Sequence, residues 1–423
     1  MPRDLNVWII NQYAIKADEA GGTRHHTLAR LMQTHGIRST LIAGTQVSRR
    51  VESIRRPPKA QVERLKDAIF VWLRVRPYSS NGLGRVVSML GFMFSVVLRT
   101  MSNKRLGIPR PDVIIGSSPH LFGALGAWIV AKRYHVPFVL EVRDLWPRSF
   151  VSLLGVSKHH PLIAFLAQIE KFLYRHSSTI FSLLEGAYTH IESVAGTRVP
   201  PIVWVPNGVD IKSSPPAQPV RTGRDFIVTY AGTHGVVNNM VIAVKAARLL
   251  QDEGASTPSG GAFVFRFIGD GIAKRDMIEY AEANSLTNVE FSNSVRKAEV
   301  PRLLAEADAL VLCAIDTDLY KFGISPNKLF DYFAAGRPIA FGLKTEFDPV
   351  ADAGAGITHA PDNPAALVDA VKALASLDAA ERQRMGSNGV KYVTDNHDME
   401  LIAKRMAETL VELGGSRTLP AQG

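Results

Sequence analysis

Ser325-Pro326-Asn327-Lys328 stands ahead of Leu329-Phe330-Asp331-Tyr332-Phe333-Ala334, a run whose apolar residues fall at helical spacing. Ser is a favoured N-cap and Pro is at home at the first helical position, so the spacing predicts a helix that starts at this point. A helix start offers backbone N–H groups without intrahelical partners and a partial positive charge. Lys328 adds a full charge in the first turn. Together these make an anion site suited to phosphate. Asp331, three residues beyond Lys328, lies near the same face and can accept hydrogen bonds from a ribose. An ordinary capped helix with a Lys–Asp surface pair is the plainer reading of the same residues.

Other stretches could join such a site. Tyr230-Ala231-Gly232-Thr233-His234-Gly235 follows an apolar strand, and its glycines allow a ligand to approach the backbone closely. Gly21-Gly22-Thr23-Arg24 sits at another strand-to-helix turn, and Ile268-Gly269-Asp270-Gly271 ends a further strand. A plain turn is the alternative at each. Glu141-Val142-Arg143-Asp144-Leu145-Trp146-Pro147 also ends a strand; its Arg143-Asp144 pair reads either as cleft chemistry or as a buried ion pair. Asp316-Thr317-Asp318 is too short an acidic loop to indicate a metal, and His25-His26 and His159-His160 lack the spacing of metal ligands. No nucleophile elbow or P-loop is present.

The elements that must hold these residues come in two series. In the first half Leu5–Gln12, Asp112–Ser118, Pro137–Val142 and Ser178–Leu184 read as buried parallel strands separated by helices. After Ile211–Gly223, a Pro- and Ser-rich stretch that reads as a linker, strand and helix patterns alternate again. A chain of 423 residues exceeds one ordinary core. The expected fold class is therefore α/β: two doubly wound, Rossmann-like domains with a ligand cleft between them. Domain boundaries follow at 1–212 and 213–395. The segment 396–423 reads as a helix packing back on the first domain, then a loose tail.

Charge is uneven. Residues 1–212 carry 28 Lys and Arg against 13 Asp and Glu, and residues 213–423 carry 21 against 26. Within 49–110 the count is 14 against 3. A basic first half suits an anionic partner, although a merely solvated basic surface has the same composition. Val86–Leu98 is an apolar run bracketed by Arg85 and Arg99, too short to span a bilayer, and fits a buried or an interfacial helix. The single cysteine, Cys313, lies in an apolar strand, which excludes an internal disulfide framework and suits a reducing compartment. The first residues show no signal-peptide pattern.

Taken together, GGTRHHTLARL, EVRDLWP, VPNGVD, YAGTHG, FIGDG, NVEFSNSV and GISPNKLFDYFAAGRP resemble the retaining family-4 glycosyltransferases of GT-B fold. They are closest to the bacterial surface-polysaccharide branch that includes N-acetyl-L-fucosamine transferases. The resemblance implies a nucleotide-sugar donor, UDP-linked and N-acetylated, and a polyprenyl-diphosphate-linked glycan acceptor. It places Gly21, Gly22, Gly232 and Thr233 at the donor diphosphate, backbone around Asn288–Asn293, including Val289 and Phe291, at the nucleobase, and Gly269 in the donor site. Ser325, Pro326, Asn327, Lys328 and Leu329 would hold the diphosphate, and Asp331 the ribose. The family's first motif Glu is absent, Gly323 standing in its place. Its usual histidine after a first-domain strand is read as replaced, with Arg143 and Asp144 near that position.

The resemblance further implies hexosyl transfer with retention, by front-face attack within an ion pair. Arg143, Asp144 and Lys328 would carry the chemistry, with no cofactor and no metal. The enzyme would be cytoplasmic and peripheral on the inner face of the membrane, meeting anionic lipid through 49–110. Nucleic acid is not expected, because aromatic and basic residues are not interleaved on any recognisable module. A non-catalytic nucleotide-binding scaffold and a UDP-sugar 2-epimerase of the same fold are the competing functions.

Overall fold

The computed structural model describes residues 4–17, 23–45, 59–78, 83–154, 157 and 159–415. Gly21, Gly22 and the 49–58 and 79–82 parts of the basic segment lie outside the described residues. The chain divides into two units, Met1–Pro206 with Met399–Gly423, and Asn207–Asp398.

In the first unit the strands are β1 (Leu5–Ile10), β2 (Ile37–Gly44), β3 (Ala60–Arg64), β4 (Ile69–Leu73), β5 (Val113–Ser117), β6 (Phe138–Val142), β7 (Thr179–Ser182) and β8 (Ile202–Trp204). They form one sheet in the order β3-β4-β2-β1-β5-β6-β7-β8. All neighbours are parallel except β3 and β4, a hairpin inside the basic segment that the sequence reading passed over. The parallel strands are apolar on both faces because helices cover both. Val7 and Ile9 join Ile115, Val139 and helix residues Leu28 and Met32 in one core. Trp8, pointing the other way, packs edge-on against Tyr134 at 5.2 Å. Helix Met399–Gly415 buries Met399, Ile402, Ala403, Met406, Ala407 and Leu410 at helical spacing in the first unit's core, though it is last in the chain.

The second unit holds β9 (Phe226–Ala231), β10 (Phe263–Ile268), β11 (Val289–Ser292), β12 (Ala309–Cys313), β13 (Ile339–Gly342) and β14 (Gly356–His359). Their order is β11-β10-β9-β12-β13-β14, and every pair is parallel. Tyr230, Phe265 and Val311 fill a core on one face; Leu310, Leu312, Phe330 and Phe333 fill one on the other. Cys313 is buried among them, and burial pushes its thiol up to about 12.

The first unit ends at Pro206, ahead of the Pro- and Ser-rich stretch, which belongs to the second. The reason is Arg337, almost fully buried, whose guanidinium donates to the Gln218, Pro219 and Ala305 carbonyls. The stretch is pinned to its unit instead of being slack.

Candidate functional site

In the second sheet the strand order reverses between β9 and β12. Ligands of such sheets bind beyond the carboxyl ends at that point. After β9 the chain turns through Gly232, at φ 154°. A Cβ there would lie 3.1 Å from both Cε and Nζ of Lys328, so the glycine makes room for the lysine to cross the turn. Lys328 Nζ donates to the Tyr230 hydroxyl at 2.6 Å and to Asn238 Oδ1 at 3.0 Å. The Tyr230 proton goes to the Thr233 carbonyl at 2.7 Å, which also takes Asn238 Nδ2 at 2.8 Å. This closed network ties Gly232, Thr233 and Lys328 into one place. Two of the three ammonium N–H bonds are used, leaving one for a ligand. Burial lowers the Lys328 pKa to about 8.

The helix runs from Asn327 to Ala334, with Pro326 as its N-cap and no side-chain cap. The expected Ser325 cap and Pro326 first turn are thus displaced by one residue. Ser325 is engaged elsewhere: its Oγ accepts from the Asn207 amide at 2.8 Å and its carbonyl from Asn207 Nδ2 at 2.6 Å. Asn207 is buried, and its own carbonyl accepts from His397 Nδ1 at 3.0 Å. The His397 ring stacks on Phe330, in the same helix, at 4.3 Å. The loop ahead of the helix and its first turns are thereby held together. With its oxygen held by the Asn207 amide, the Ser325 hydroxyl proton is available to an anion at the helix start. Asn207→Ala and Ser325→Ala are each expected to weaken nucleoside diphosphate binding about tenfold, the scale of one hydrogen bond. The double variant should lose little more, because both changes remove one arrangement. Calorimetric titration of the three variants checks this, and multiplied losses contradict it.

Asp331 is half-buried on this helix. Burial pushes its carboxyl up to about 6, against the pull of Lys297. Ionised, it can accept from ribose hydroxyls; protonated, it accepts poorly. Nucleotide affinity should therefore fall about tenfold as pH drops from 7 to 5 through that value. Asp331→Asn removes this carboxylate, so titration of both proteins separates its effect from the ligand's own phosphate.

The remaining predicted residues fall in different surroundings. Asn327 is exposed at the helix start, whereas Leu329 is core and offers only backbone. Val289 and Phe291 pack their side chains on the core, Phe291 stacked on Phe267 at 5.3 Å. At the carboxyl end of β11 the exposed residues are Ser292 and Asn293. Gly269 donates its N–H to the Ser292 carbonyl at 3.2 Å. Lys274, which the sequence reading did not single out, bonds the Gly269 and Ser292 carbonyls at 2.9 Å each and Asn293 Oδ1 at 3.0 Å. Its three N–H bonds tie the ends of β10 and β11. Gly323 has φ 92°, which a glutamate would adopt only under strain, so the backbone itself disfavours the family's acid there.

The first unit also gathers polar groups where strand order reverses, between β1 and β5. Glu141, fully buried in β6, accepts from Arg24 Nε at 3.2 Å and pairs with His25 Nε2 at 2.7 Å. Asn11 Nδ2 meets His25 Nδ1 at 3.2 Å, which fits the neutral tautomer with its proton on Nε2. Arg24 also grips the Val205 and Pro206 carbonyls. Burial alone would raise the Glu141 carboxyl, but His25, Arg24 and Arg143 hold it well below the usual range. The buried ion pair of EVRDLWP is thus carried by Glu141. Arg143 is half-buried and Asp144 exposed.

A histidine does follow a first-unit strand, contrary to the sequence reading. His120 caps helix Leu121–Tyr134: its Nδ1 accepts from Gly123 N at 3.1 Å and its Nε2 donates to Gln12 Oε1 at 2.6 Å. Burial, with help from Arg85, pushes its pKa down to about 3, so it is a neutral donor. The signal was the Ser-Pro-His ahead of an apolar helix. Glu141 could have been found as an acid inside a continuous apolar strand.

Among the described residues no group of three or more His, Cys, Asp or Glu is gathered as for a metal ion.

Comparison with known proteins covers both units. Residues 20–208 match the family described as "Glycosyl transferase 4-like domain", and residues 225–376 match "Glycosyl transferases group 1". A chain of Escherichia coli (strain K12) assigned to colanic acid biosynthesis as the glycosyl transferase WcaI is 22% identical over 271 residues. That match spans 62% of this chain and 63% of WcaI, less than two thirds of its length. Among solved structures, sucrose-phosphate synthase from Thermosynechococcus elongatus aligns with a TM-score of 0.74 at 15% identity, over 98% of this chain and 100% of that one. Anabaena HepE, in complex with UDP and glucose, aligns at 0.64 and 14% identity, over 97% and 100%. WaaG, a glycosyltransferase involved in lipopolysaccharide biosynthesis, aligns at 0.64 and 13% identity, over 96% and 99%. The fold is GT-B, and each of its halves carries a glycosyltransferase domain of the kind its match describes, one 4-like and one of group 1.

Proposed function

We propose that the chain is a retaining hexosyl-type glycosyltransferase. It takes an N-acetylated sugar from a UDP-linked donor and adds it to a polyprenyl-diphosphate-linked glycan during surface polysaccharide synthesis. The observation that carries this reading is the second unit's network of Gly232, Tyr230, Thr233 and Lys328 beside the uncapped start of helix Asn327–Ala334. It gathers an ammonium, first-turn N–H groups and the Ser325 hydroxyl where an anion would sit. Support for the donor class comes from HepE, which is described with UDP, with UDP-glucose, and with UDP and glucose. Support for the pathway class comes from WcaI and WaaG.

The costly event in such a transfer is departure of the diphosphate from the anomeric carbon. Lys328 and the helix start stabilise the charge that develops there. No metal is needed if they suffice. Asp331 would orient the ribose. Arg143 and Asp144 are proposed to act on the sugar side. Among the described residues no helix is long and apolar enough to cross a membrane. The proposed location is peripheral, on the cytoplasmic face.

Incubation with a panel of UDP-N-acetylsugars and a polyprenyl-diphosphate glycan, followed by proton NMR, tests the reading. Transfer with the donor's anomeric configuration kept supports it. Release of a free 2-epimer without acceptor points to the epimerase. Binding of UDP with no turnover of any donor points to the scaffold.

A further inference from the structure

Helices Leu83–Thr100, Leu121–Tyr134 and Pro161–His176 lie side by side as one layer of the first unit. On the first, Met89, Phe92 and Val96 are buried, while Val87, Phe94 and Leu98 form an outward stripe with Gly91 between them. Phe94 is 57% and Leu98 69% exposed. On the third helix Leu162 and Phe165 are exposed, Phe165 at 56%. Single exposed apolar residues are ordinary, but five on one helical layer are not.

The charge on the same layer is one-sided. Segments 83–106, 121–135 and 159–176 together carry eight Lys and Arg and one carboxylate, Glu170. Glu170 is buried, bonded to the Tyr174 hydroxyl at 2.9 Å and His190 at 2.8 Å. Arg99, Lys104, Arg105, Lys132 and Arg133 are all exposed. A second copy of the chain is a poor occupant, because it would bring these like charges together. Apolar side chains set among cations, with no exposed acid, match a surface that is greasy below and anionic above.

We propose that this helical layer is the face by which the chain lies on an anionic lipid bilayer. The Phe94–Leu98 stripe enters the interface, and the surrounding Lys and Arg meet lipid phosphates. The inference rests on the reading that the acceptor is lipid-linked. It moves the contact from the basic segment 49–110 as a whole to three named helices.

Sedimentation with phosphatidylcholine vesicles, with and without phosphatidylglycerol, tests it. Wild type is expected to bind the phosphatidylglycerol vesicles about tenfold more strongly. Phe94→Glu with Leu98→Glu should lower that binding about tenfold or more. Leu162→Ser with Phe165→Ser, on a separate helix, should lower it too. Lys104→Glu with Arg105→Glu should remove the preference for anionic lipid. These side chains are exposed, so unchanged melting and unchanged UDP binding are expected in every variant. Equal binding to both vesicle types, or wild-type binding by the variants, overturns the proposal. So does a solution dimer that Phe94→Glu with Leu98→Glu dissolves, which would make the layer a self-interface. Vesicle binding needs no nucleotide, so a wild type that binds vesicles but not UDP contradicts only the donor reading.

Discussion

Glu141→Ala is expected to destabilise the first unit by about 3–5 kcal/mol, the cost of stranding a buried charge. Its partners explain the size. Arg24 and His25 are almost completely buried and face this one carboxylate. Removing it leaves a buried guanidinium without its carboxylate. A loss of that size lowers the melting temperature of a unit this large by roughly 6–20 °C. Adding Arg24→Met should recover part of the loss, since the stranded charge goes too. The pH dependence follows from the depressed carboxyl. Its contribution is complete above the ordinary carboxylate range and fades as pH falls through the native value below it. Thermal melts at pH 7 and pH 3 check this: the gap between wild type and Glu141→Ala should narrow at the lower pH. A gap under about 1 kcal/mol at pH 7 would contradict the buried-pair account.

Lys328→Met should reduce turnover by about 10²–10³, the usual scale for losing one preorganised charge at a leaving group. The lysine is fixed by Tyr230 and Asn238, so it needs no rearrangement to meet a diphosphate. Its lowered pKa gives a second signature. The cation is intact below about 7 and is lost as pH rises through about 8. The kcat/KM profile, which reports the free enzyme, should fall on the alkaline side near that value. The kcat profile should hold to higher pH, because a bound diphosphate favours the charged lysine. A flat kcat/KM profile to pH 9, or wild-type turnover in the methionine variant, would remove Lys328 from the chemistry.

The two-sheet architecture was legible because buried parallel strands read as short apolar runs bounded by turns, as in DVIIGSS and ADALVLCAI. The β3–β4 hairpin was not, since its strand residues Gln61, Glu63 and Arg64 are polar and its neighbours densely basic. The helix start was found within one residue from Ser-Pro-Asn-Lys. The error came from Asn207, more than a hundred residues upstream, which takes the hydroxyl that spacing assigns to a cap. His120, Glu141 and Lys274 escaped for the same reason. Each derives its role from partners distant in sequence or on another strand end, such as Gln12, His25 and Ser292. Local spacing reveals which groups can do chemistry, and tertiary pairing decides which are already occupied.

Calorimetric titration of the purified chain with UDP, GDP, ADP and dTDP, without divalent metal, tests the central claim most directly. The account predicts selective binding of UDP that Lys328→Met weakens and Asp331→Ala abolishes. Binding to none of the four, or UDP binding indifferent to both substitutions, would contradict it.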